Sequence, residues 1–281
     1  MTALLEASGI TKRYGGLTAL DGCTVSFAEG TVTGLIGPNG AGKTTLLGVI
    51  AGFTTPDAGT IRFDGADITA MPAHRRAGRG LVRTFQIARE LAQLTVFENL
   101  MVAGADPRDE SITRALFRRP AVWAAERRTA RKAHALLERV GLLALADAPA
   151  SALSGGQKKL LELARALMLE PRFILLDEPA AGVAPPLVAE LARLVRTLVG
   201  EGISFGIVEH DMDLIARLCD QVYVLAEGRN LVSGSFAEVA ANSDVVEAYL
   251  GWRDARRRYP SARGARSARR LRKRWRCRRR R

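Results

Sequence analysis

The stretch Gly37-Pro-Asn-Gly-Ala-Gly-Lys43-Thr44 decides the fold and the chemistry of this 281-residue chain. It fits the phosphate-loop pattern G-x-x-x-x-G-K-[ST]. The apolar run Thr31–Ile36 before it predicts a buried strand, and Leu46–Ala51 after it predicts the start of a buried helix. A glycine loop between a strand and a helix start forms an anion site, because its N–H groups and the helix dipole favour negative charge. We therefore predict that this loop cradles the phosphates of a nucleotide.

Individual residues of the loop have distinct predicted tasks. Lys43 is expected to reach the β- and γ-phosphates, and the Thr44 hydroxyl is expected to ligate Mg²⁺. The alternative, a surface turn that matches the pattern by chance, is disfavoured by the flanking strand and helix. The residues assigned here to the nucleotide are Gly37, Asn39, Gly40, Gly42, Lys43, Thr44 and Thr45.

A second segment supplies carboxylates. Phe173–Leu176 is a continuous apolar run, as expected of a central parallel strand, and it ends in Asp177-Glu178. Ligands of open parallel sheets bind at the carboxyl ends of strands, so both carboxylates are expected to emerge beside the phosphates. Asp177 suits a Mg²⁺ ligand acting through water, and Glu178 suits a general base or a water-positioning group. The alternative is an ordinary acidic turn, which the upstream phosphate loop disfavours.

A third segment, Leu153-Ser-Gly-Gly-Gln157, precedes an apolar stripe at helical spacing. Taken alone, it indicates only the start of a helix. Its position is more informative, because Gly155 lies sixteen residues before Pro171, and the apolar run that leads to Asp177 begins two residues after Pro171.

The order and spacing of these three segments resemble those of the ATP-binding-cassette (ABC) ATPases, from about Leu4 to Gly251. The resemblance implies an α/β fold: a RecA-like P-loop NTPase core with an antiparallel β subdomain and an inserted α-helical subdomain at about residues 86–165. It implies a nucleotide-binding domain over residues 1–251, two copies of which close head to tail over ATP and Mg²⁺. The residues that would bind the γ-phosphate held by the opposite subunit are Ser154, Gly155, Gly156 and Gln157.

The same resemblance assigns three further side chains. Gln86 looks like the glutamine that touches Mg²⁺ and the attacking water and couples to the membrane partner. His210 follows an apolar strand and looks like the switch histidine that contacts the γ-phosphate. Tyr14 looks like the aromatic residue that stacks on adenine; an ordinary half-buried strand tyrosine is the alternative. Ala184 departs from the family, which carries Asp or Asn near this position, and we expect weaker communication between the two ATP sites.

Within the family, Val82-Arg-Thr-Phe-Gln86, Leu94–Leu100 and Asp244–Gly251 are similar to the LivG-type subunit of branched-chain amino acid importers. The similarity implies two transmembrane permeases, a second cassette subunit (LivF-like, or another copy of this chain) and, indirectly, a periplasmic binding protein. Cassettes of urea, amide or lipid transporters are alternatives. A soluble ABC ATPase acting on nucleic acid is disfavoured, because the chain has one cassette and no heptad run.

Charge is concentrated at one end of the chain. Residues 252–281 hold 15 Arg and one Lys against one Asp, a charge of +15, while the other 251 residues hold 26 basic and 28 acidic side chains, a charge of −2. The Arg-rich tail is expected to be disordered, because its like charges repel. It is an extension without function, or a segment that binds anionic lipid or RNA.

Other sequence features bound the location and the secondary structure. The three cysteines are scattered, no apolar run reaches about 18 residues, and no signal peptide is recognisable, so we expect a peripheral protein at the cytoplasmic face of the membrane. Asp64-Gly65 predicts a hairpin turn. Further predicted elements are a helix at Ala121–Val140, a strand pair at Val222–Ala226 and Asn230–Ser233, and a closing helix at Asp244–Leu250.

Overall fold

The computed structural model describes residues 3–84, 91–105 and 119–245. The strands of these ranges form two sheets. The antiparallel sheet has the order β2-β1-β4-β5 and consists of β1 (Ala3–Tyr14), β2 (Leu17–Ala28), β4 (Ala58–Phe63) and β5 (Ala66–Asp67). The turn between β4 and β5 is the predicted one: Asp64 and Gly65 both adopt positive φ, 51° and 73°, as the tight turn of a twisted hairpin requires.

The second sheet has six strands in the order β10-β9-β3-β8-β7-β6. Its strands are β3 (Val32–Ile36), β6 (Leu81–Arg83), β7 (Phe173–Asp177), β8 (Ser204–Val208), β9 (Gln221–Ala226) and β10 (Arg229–Gly234). All neighbouring pairs are parallel except β9 and β10, which are antiparallel. Every residue of β3, β7 and β8 is buried, because the sheet is covered on both faces.

Parallel order places the carboxyl ends of β3, β6, β7 and β8 at one edge of this sheet. The phosphate loop follows β3, the Asp177-Glu178 pair ends β7, and His210 follows β8. Three segments far apart in sequence therefore meet at the edge where ligands of such sheets bind.

Helices pack around the sheets. Those within the described ranges are α1 (Lys43–Ile50), α2 (Ala73–Ala77), α3 (Val96–Ala103), α4 (Arg119–Arg139), α5 (Gly155–Leu167), α6 (Pro185–Gly200), α7 (Met212–Leu218), α8 (Phe236–Ala241) and α9 (Ser243–Val245). Apolar residues of α3, α4 and α5, among them Leu100, Leu137 and Leu160, join those of α6 in one buried cluster. The boundaries of a separate helical subdomain remain a prediction.

One buried arginine supports the helix that follows the phosphate loop. The Arg76 guanidinium donates hydrogen bonds to the carbonyls of Val49 and Ile50, the last residues of α1, at 2.8 and 2.5 Å. It also donates to the carbonyls of Met71 and Thr69 at 2.7 and 2.9 Å. Burial lowers the pKa of Arg76 to about 10. The guanidinium thus satisfies the carbonyl groups that the end of a helix leaves without partners.

The fold-class prediction is confirmed: a parallel α/β core carries an antiparallel sheet and a group of helices. The predicted last strand pair forms as β9 and β10, and it extends the core sheet through the parallel pairing of β9 with β3. The predicted helix at Ala121–Val140 forms as α4, and Gly141 follows it with a φ of 68°. The closing helix begins at Ser243, and the part of its predicted range beyond Val245 lies outside the described residues.

Candidate active site

The phosphate loop is held against backbone on both sides, which explains two of its glycines. A Cβ atom at Gly37 would lie 2.1 Å from the carbonyl oxygen of Leu225, and one at Gly42 would lie 2.6 Å from that of Ala19. The φ angles of these glycines are 151° and 99°, which disfavour any residue with a side chain. The sequence therefore fixes the backbone path of the loop, as an anion site made of N–H groups requires.

Lys43 lies across this loop. Its ammonium donates hydrogen bonds to the carbonyl oxygens of Gly37 and Pro38 at 2.7 and 3.0 Å. Burial lowers the pKa of Lys43, and the carboxylates of Glu178 and Asp177 partly offset this lowering. The electrostatic coupling means that the predicted phosphate-binding cation and the two predicted carboxylates share one site.

Glu178 and His210 meet directly. Glu178 Oε1 lies 2.8 Å from His210 Nε2, although the residues follow different strands. The Glu178 backbone has a φ of 49°, in the left-handed region, and its N–H donates to the carbonyl of Val208 at 2.9 Å. A non-glycine residue in this region is uncommon and is held there by its surroundings. A carboxylate held beside an imidazole can take a proton from a water, while the imidazole orients the carboxylate.

The buried carboxylate of Glu209 connects the two loops that carry Glu178 and His210. The residue is 3% exposed. Its Oε1 accepts a hydrogen bond from the N–H of Ala180 at 2.6 Å, and its Oε2 accepts one from the N–H of His210 at 2.9 Å. Glu209 was not among the predicted site residues, although a carboxylate directly after the apolar strand β8 follows the same pattern that singled out Asp177.

Asp177 forms a buried ion pair that the sequence analysis also missed. Arg83 Nη2 lies 2.8 Å from Asp177 Oδ2, and the two side chains are 10% and 2% exposed. Arg83 is the last residue of β6, which pairs in parallel with β7. The sequence indicated this pair only through the predicted parallel sheet, because the carboxyl ends of two parallel strands lie at the same edge.

The third glycine segment is built as a helix start. Ser154 caps α5: its hydroxyl accepts from the N–H of Gln157 at 3.4 Å, and the Gln157 side-chain oxygen accepts from the N–H of Ser154 at 2.9 Å. A Cβ atom at Gly156 would lie 2.0 Å from Leu187 Cδ2 and 3.2 Å from Val183 Cγ1. Gly156 thus packs against the segment that follows Glu178 in the same chain.

Other predicted site residues are placed as follows. Asn39 and Thr44 are exposed at the loop and at the first turn of α1, and Thr45 is half-buried. Tyr14, the last residue of β1, is 50% exposed, and the Lys12 ammonium lies 5.5 Å from its ring centroid, which leaves both interpretations of this tyrosine open. Gln86 lies outside the described residues.

The donor set fits a Mg²⁺ ion held mainly by nucleotide phosphates. The Thr44 hydroxyl and the Asp177 carboxylate are hard oxygen ligands, which Mg²⁺ prefers. Among the described residues, no group of three or more His, Cys, Asp or Glu forms a cage that would hold a metal by itself. Mg²⁺ sites of this kind typically use one or two protein oxygens together with substrate phosphates and water.

A glycine loop that binds phosphate, two carboxylates and a histidine at one edge of a parallel sheet define a P-loop nucleotide hydrolase. Comparison with known proteins narrows the class. The model of the ABC transporter family matches residues 20–181. The chain therefore belongs to the ABC transporter family and is an ATPase of that family.

Relatives match over nearly their whole length. The chain is 40% identical over 249 residues to the high-affinity branched-chain amino acid transport ATP-binding protein BraF of Pseudomonas aeruginosa, covering 88% of this chain and 98% of the relative. It is 36% identical over 249 residues to LivG of Escherichia coli K12, covering 88% of this chain and 98% of that relative. A crystal structure of a nucleotide-free cassette from an ABC transporter superposes with a TM-score of 0.79 at 39% identity, covering 89% of this chain and all of that one.

Within the described ranges, no helix is both long enough and apolar enough to cross a bilayer.

Proposed function

We propose that this chain is the ATP-binding subunit of an importer that takes up branched-chain or related amino acids. The observation that carries the proposal is the identity of 36–40% to relatives named as branched-chain amino acid transport ATP-binding proteins. The contact between Glu178 and His210 beside the phosphate loop supports the proposal that this subunit hydrolyses ATP.

The mechanism assigns tasks to this chain's own residues. The N–H groups of the phosphate loop and the Lys43 ammonium bind the β- and γ-phosphates of ATP. Thr44 and, through water, Asp177 would hold Mg²⁺, which would supply positive charge to stabilise the transferred phosphoryl group. Glu178 takes the proton of the attacking water, and His210 holds the Glu178 carboxylate in position and contacts the γ-phosphate. A positioned general base contributes roughly 10²–10⁴ in rate.

A second cassette completes the site. The capped start of α5, with Ser154, Gly155 and Gly156, presents N–H groups and the positive end of a helix dipole, which suit the γ-phosphate held by the other subunit. ATP then joins the two cassettes, and hydrolysis allows them to separate. The second cassette is a LivF-like subunit or another copy of this chain.

The remaining partners follow from this role. Two transmembrane permeases receive the closing motion, and Gln86 is the proposed point of coupling. A periplasmic binding protein delivers the amino acid from the other side, so this chain works at the cytoplasmic face of the membrane. The Arg-rich tail at residues 252–281 lies outside the described residues, and its binding to anionic lipid stays a hypothesis.

The experiment is uptake in reconstituted vesicles. The chain is combined with its cognate permeases, second cassette and binding protein, and the uptake of labelled leucine is measured with Mg²⁺ and ATP inside. Lys43→Ala should abolish nucleotide binding and uptake, because the cation that meets the phosphates is removed. Arg62→Ala, which removes a cation at an exposed position of β4, is the control. Leucine uptake that continues in the Lys43→Ala complex would refute the role of this subunit. Uptake of urea or an amide instead of leucine would correct the substrate class alone.

A further inference from the structure

Arg83 and Asp177 form an ion pair that water screens only weakly. The residues end two adjacent parallel strands, and their charged atoms lie 2.8 Å apart with side-chain exposures of 10% and 2%. Buried charges interact more strongly than exposed ones because the local dielectric is low. The carboxylate assigned to the metal therefore already has a cation as its neighbour.

The arginine is also confined from the helix side. The centre of its guanidinium lies 6.0 Å from the centroid of the Phe53 ring. A Cβ atom at Gly48, in the middle of α1, would lie 3.7 Å from Arg83 Nη1 and 3.3 Å from Thr54 Oγ1. The guanidinium thus occupies a defined place between α1 and the edge of the sheet.

This arrangement has a consequence for the metal. Mg²⁺ approaching Asp177 meets the charge of Arg83 on the same carboxylate, and Lys43 is a second cation coupled to Asp177. Two positive side chains near the ligand disfavour a divalent cation until the phosphates of a nucleotide bring negative charge.

Building on the proposed ATP site, we propose that Arg83 is a counter-cation of Asp177 that raises the Mg²⁺ concentration the site requires, so that metal is held only together with nucleotide. Arg83 acts through Asp177 and is a positioning residue. A purely structural role, in which the pair merely ties β6 to β7, predicts a change in stability with no change in the linkage between metal and nucleotide.

The test measures that linkage in the full chain. The affinity for mant-ADP, a fluorescent ADP analogue, is titrated in EDTA and at a series of Mg²⁺ concentrations for the wild type, Arg83→Lys and Arg83→Gln. In Arg83→Gln, the Mg²⁺ concentration at half-maximal effect should fall about tenfold, the size of coupling expected when a neighbouring charge is removed. In Arg83→Lys it should fall about two- to threefold, because a point charge replaces the fork of a guanidinium.

The measurement distinguishes a failure of this inference from a failure of the proposed ATP site. Arg172→Gln is the control, since Arg172 pairs with Asp64 and Glu29 at an exposed site. Its Mg²⁺ concentration at half-maximal effect should equal that of the wild type. If this concentration is unchanged or raised in Arg83→Gln, the inference is overturned. If Arg83→Gln does not fold, an unchanged or raised concentration in Arg83→Lys would overturn it. A wild type that binds no mant-ADP at any Mg²⁺ concentration would instead contradict the proposed ATP site.

Discussion

The two glycine segments of the site are stabilised in different ways. Glycines of the phosphate loop face backbone carbonyls of neighbouring strands and turns, and Lys43, Asp177, Glu178 and His210 lie at the same sheet edge. The segment at Ser154 is the capped start of α5 and packs on side chains of α6 and the turn before it. The first segment lies with the other predicted site residues of the same chain, whereas the second is the segment that we propose meets the nucleotide of another chain. Binding and turnover should therefore be separable by mutation.

The largest expected effect comes from Glu178, the proposed general base. Glu178→Gln keeps a group that can hydrogen-bond to His210 but removes the basic carboxylate, so kcat should fall roughly 10²–10⁴-fold while ATP affinity is kept. Gel filtration with ATP should then show a trapped cassette dimer. Glu227→Gln is the matched control, because Glu227 also has a positive φ, 50°, and is exposed. A monomeric and fully active Glu178→Gln protein would rule out the assignment.

A pair of glycine substitutions tests the separation directly. Gly37→Ala places a Cβ atom 2.1 Å from a backbone oxygen that has little freedom to move, so mant-ADP affinity should fall about 100-fold, in line with an overpacking cost of ~3 kcal/mol. Gly156→Ala meets the end of the Leu187 side chain and lies far from the loop in sequence, so the affinity of the lone chain should stay within about twofold.

The second half of that test uses the dimer. In a Glu178→Gln background, Gly156→Ala should weaken the ATP-dependent dimer, because the surface offered to the opposite γ-phosphate changes. Equal losses of mant-ADP affinity in the two glycine variants would show that both segments contribute to nucleotide binding by the lone chain, contrary to the proposed separation.

Glu209 should have a smaller effect on turnover. Its Oε1 accepts the N–H of Ala180, and its Oε2 accepts those of His210 and Asp211. The amide of Glu209→Gln has one acceptor oxygen and leaves at least one of these N–H groups unsatisfied, at a cost of about 1–3 kcal/mol. We expect kcat to fall about tenfold with KM unchanged, because the loops carrying Glu178 and His210 lose their common support. Glu6→Gln, at an exposed position of β1, is the control. A lowered melting temperature with normal kcat would mean that Glu209 only stabilises the fold.

Local patterns predicted most of the fold and much of the site. Continuous apolar runs marked the core strands. Asp177 was predicted because it ends one of these runs, and His210, two residues after another, was predicted from the family resemblance. The roles of Arg83 and Glu209 were missed because each contacts a residue at or just beyond the end of another strand, Asp177 or Ala180, and no local pattern states which strand ends become neighbours. Arg76 was missed for the same reason, since its carbonyl partners on α1 lie more than twenty residues away.

The smallest expected effect is on stability, at the start of α6. Ala184 is the N-cap of this helix and offers no side-chain acceptor, and Pro185 and Pro186 follow it. Leu187 has the first N–H of the helix, and this group already donates to the carbonyl of Ala184 at 2.9 Å. The side chain of Ala184→Asn would share that N–H, so it should stabilise the chain by about 0.5 kcal/mol, the low end of N-cap effects. The melting temperature without nucleotide should rise about 1–2 °C. Ala181→Asn, in the same turn but outside the cap, should give no rise; an equal rise in both variants would show that capping is not the cause.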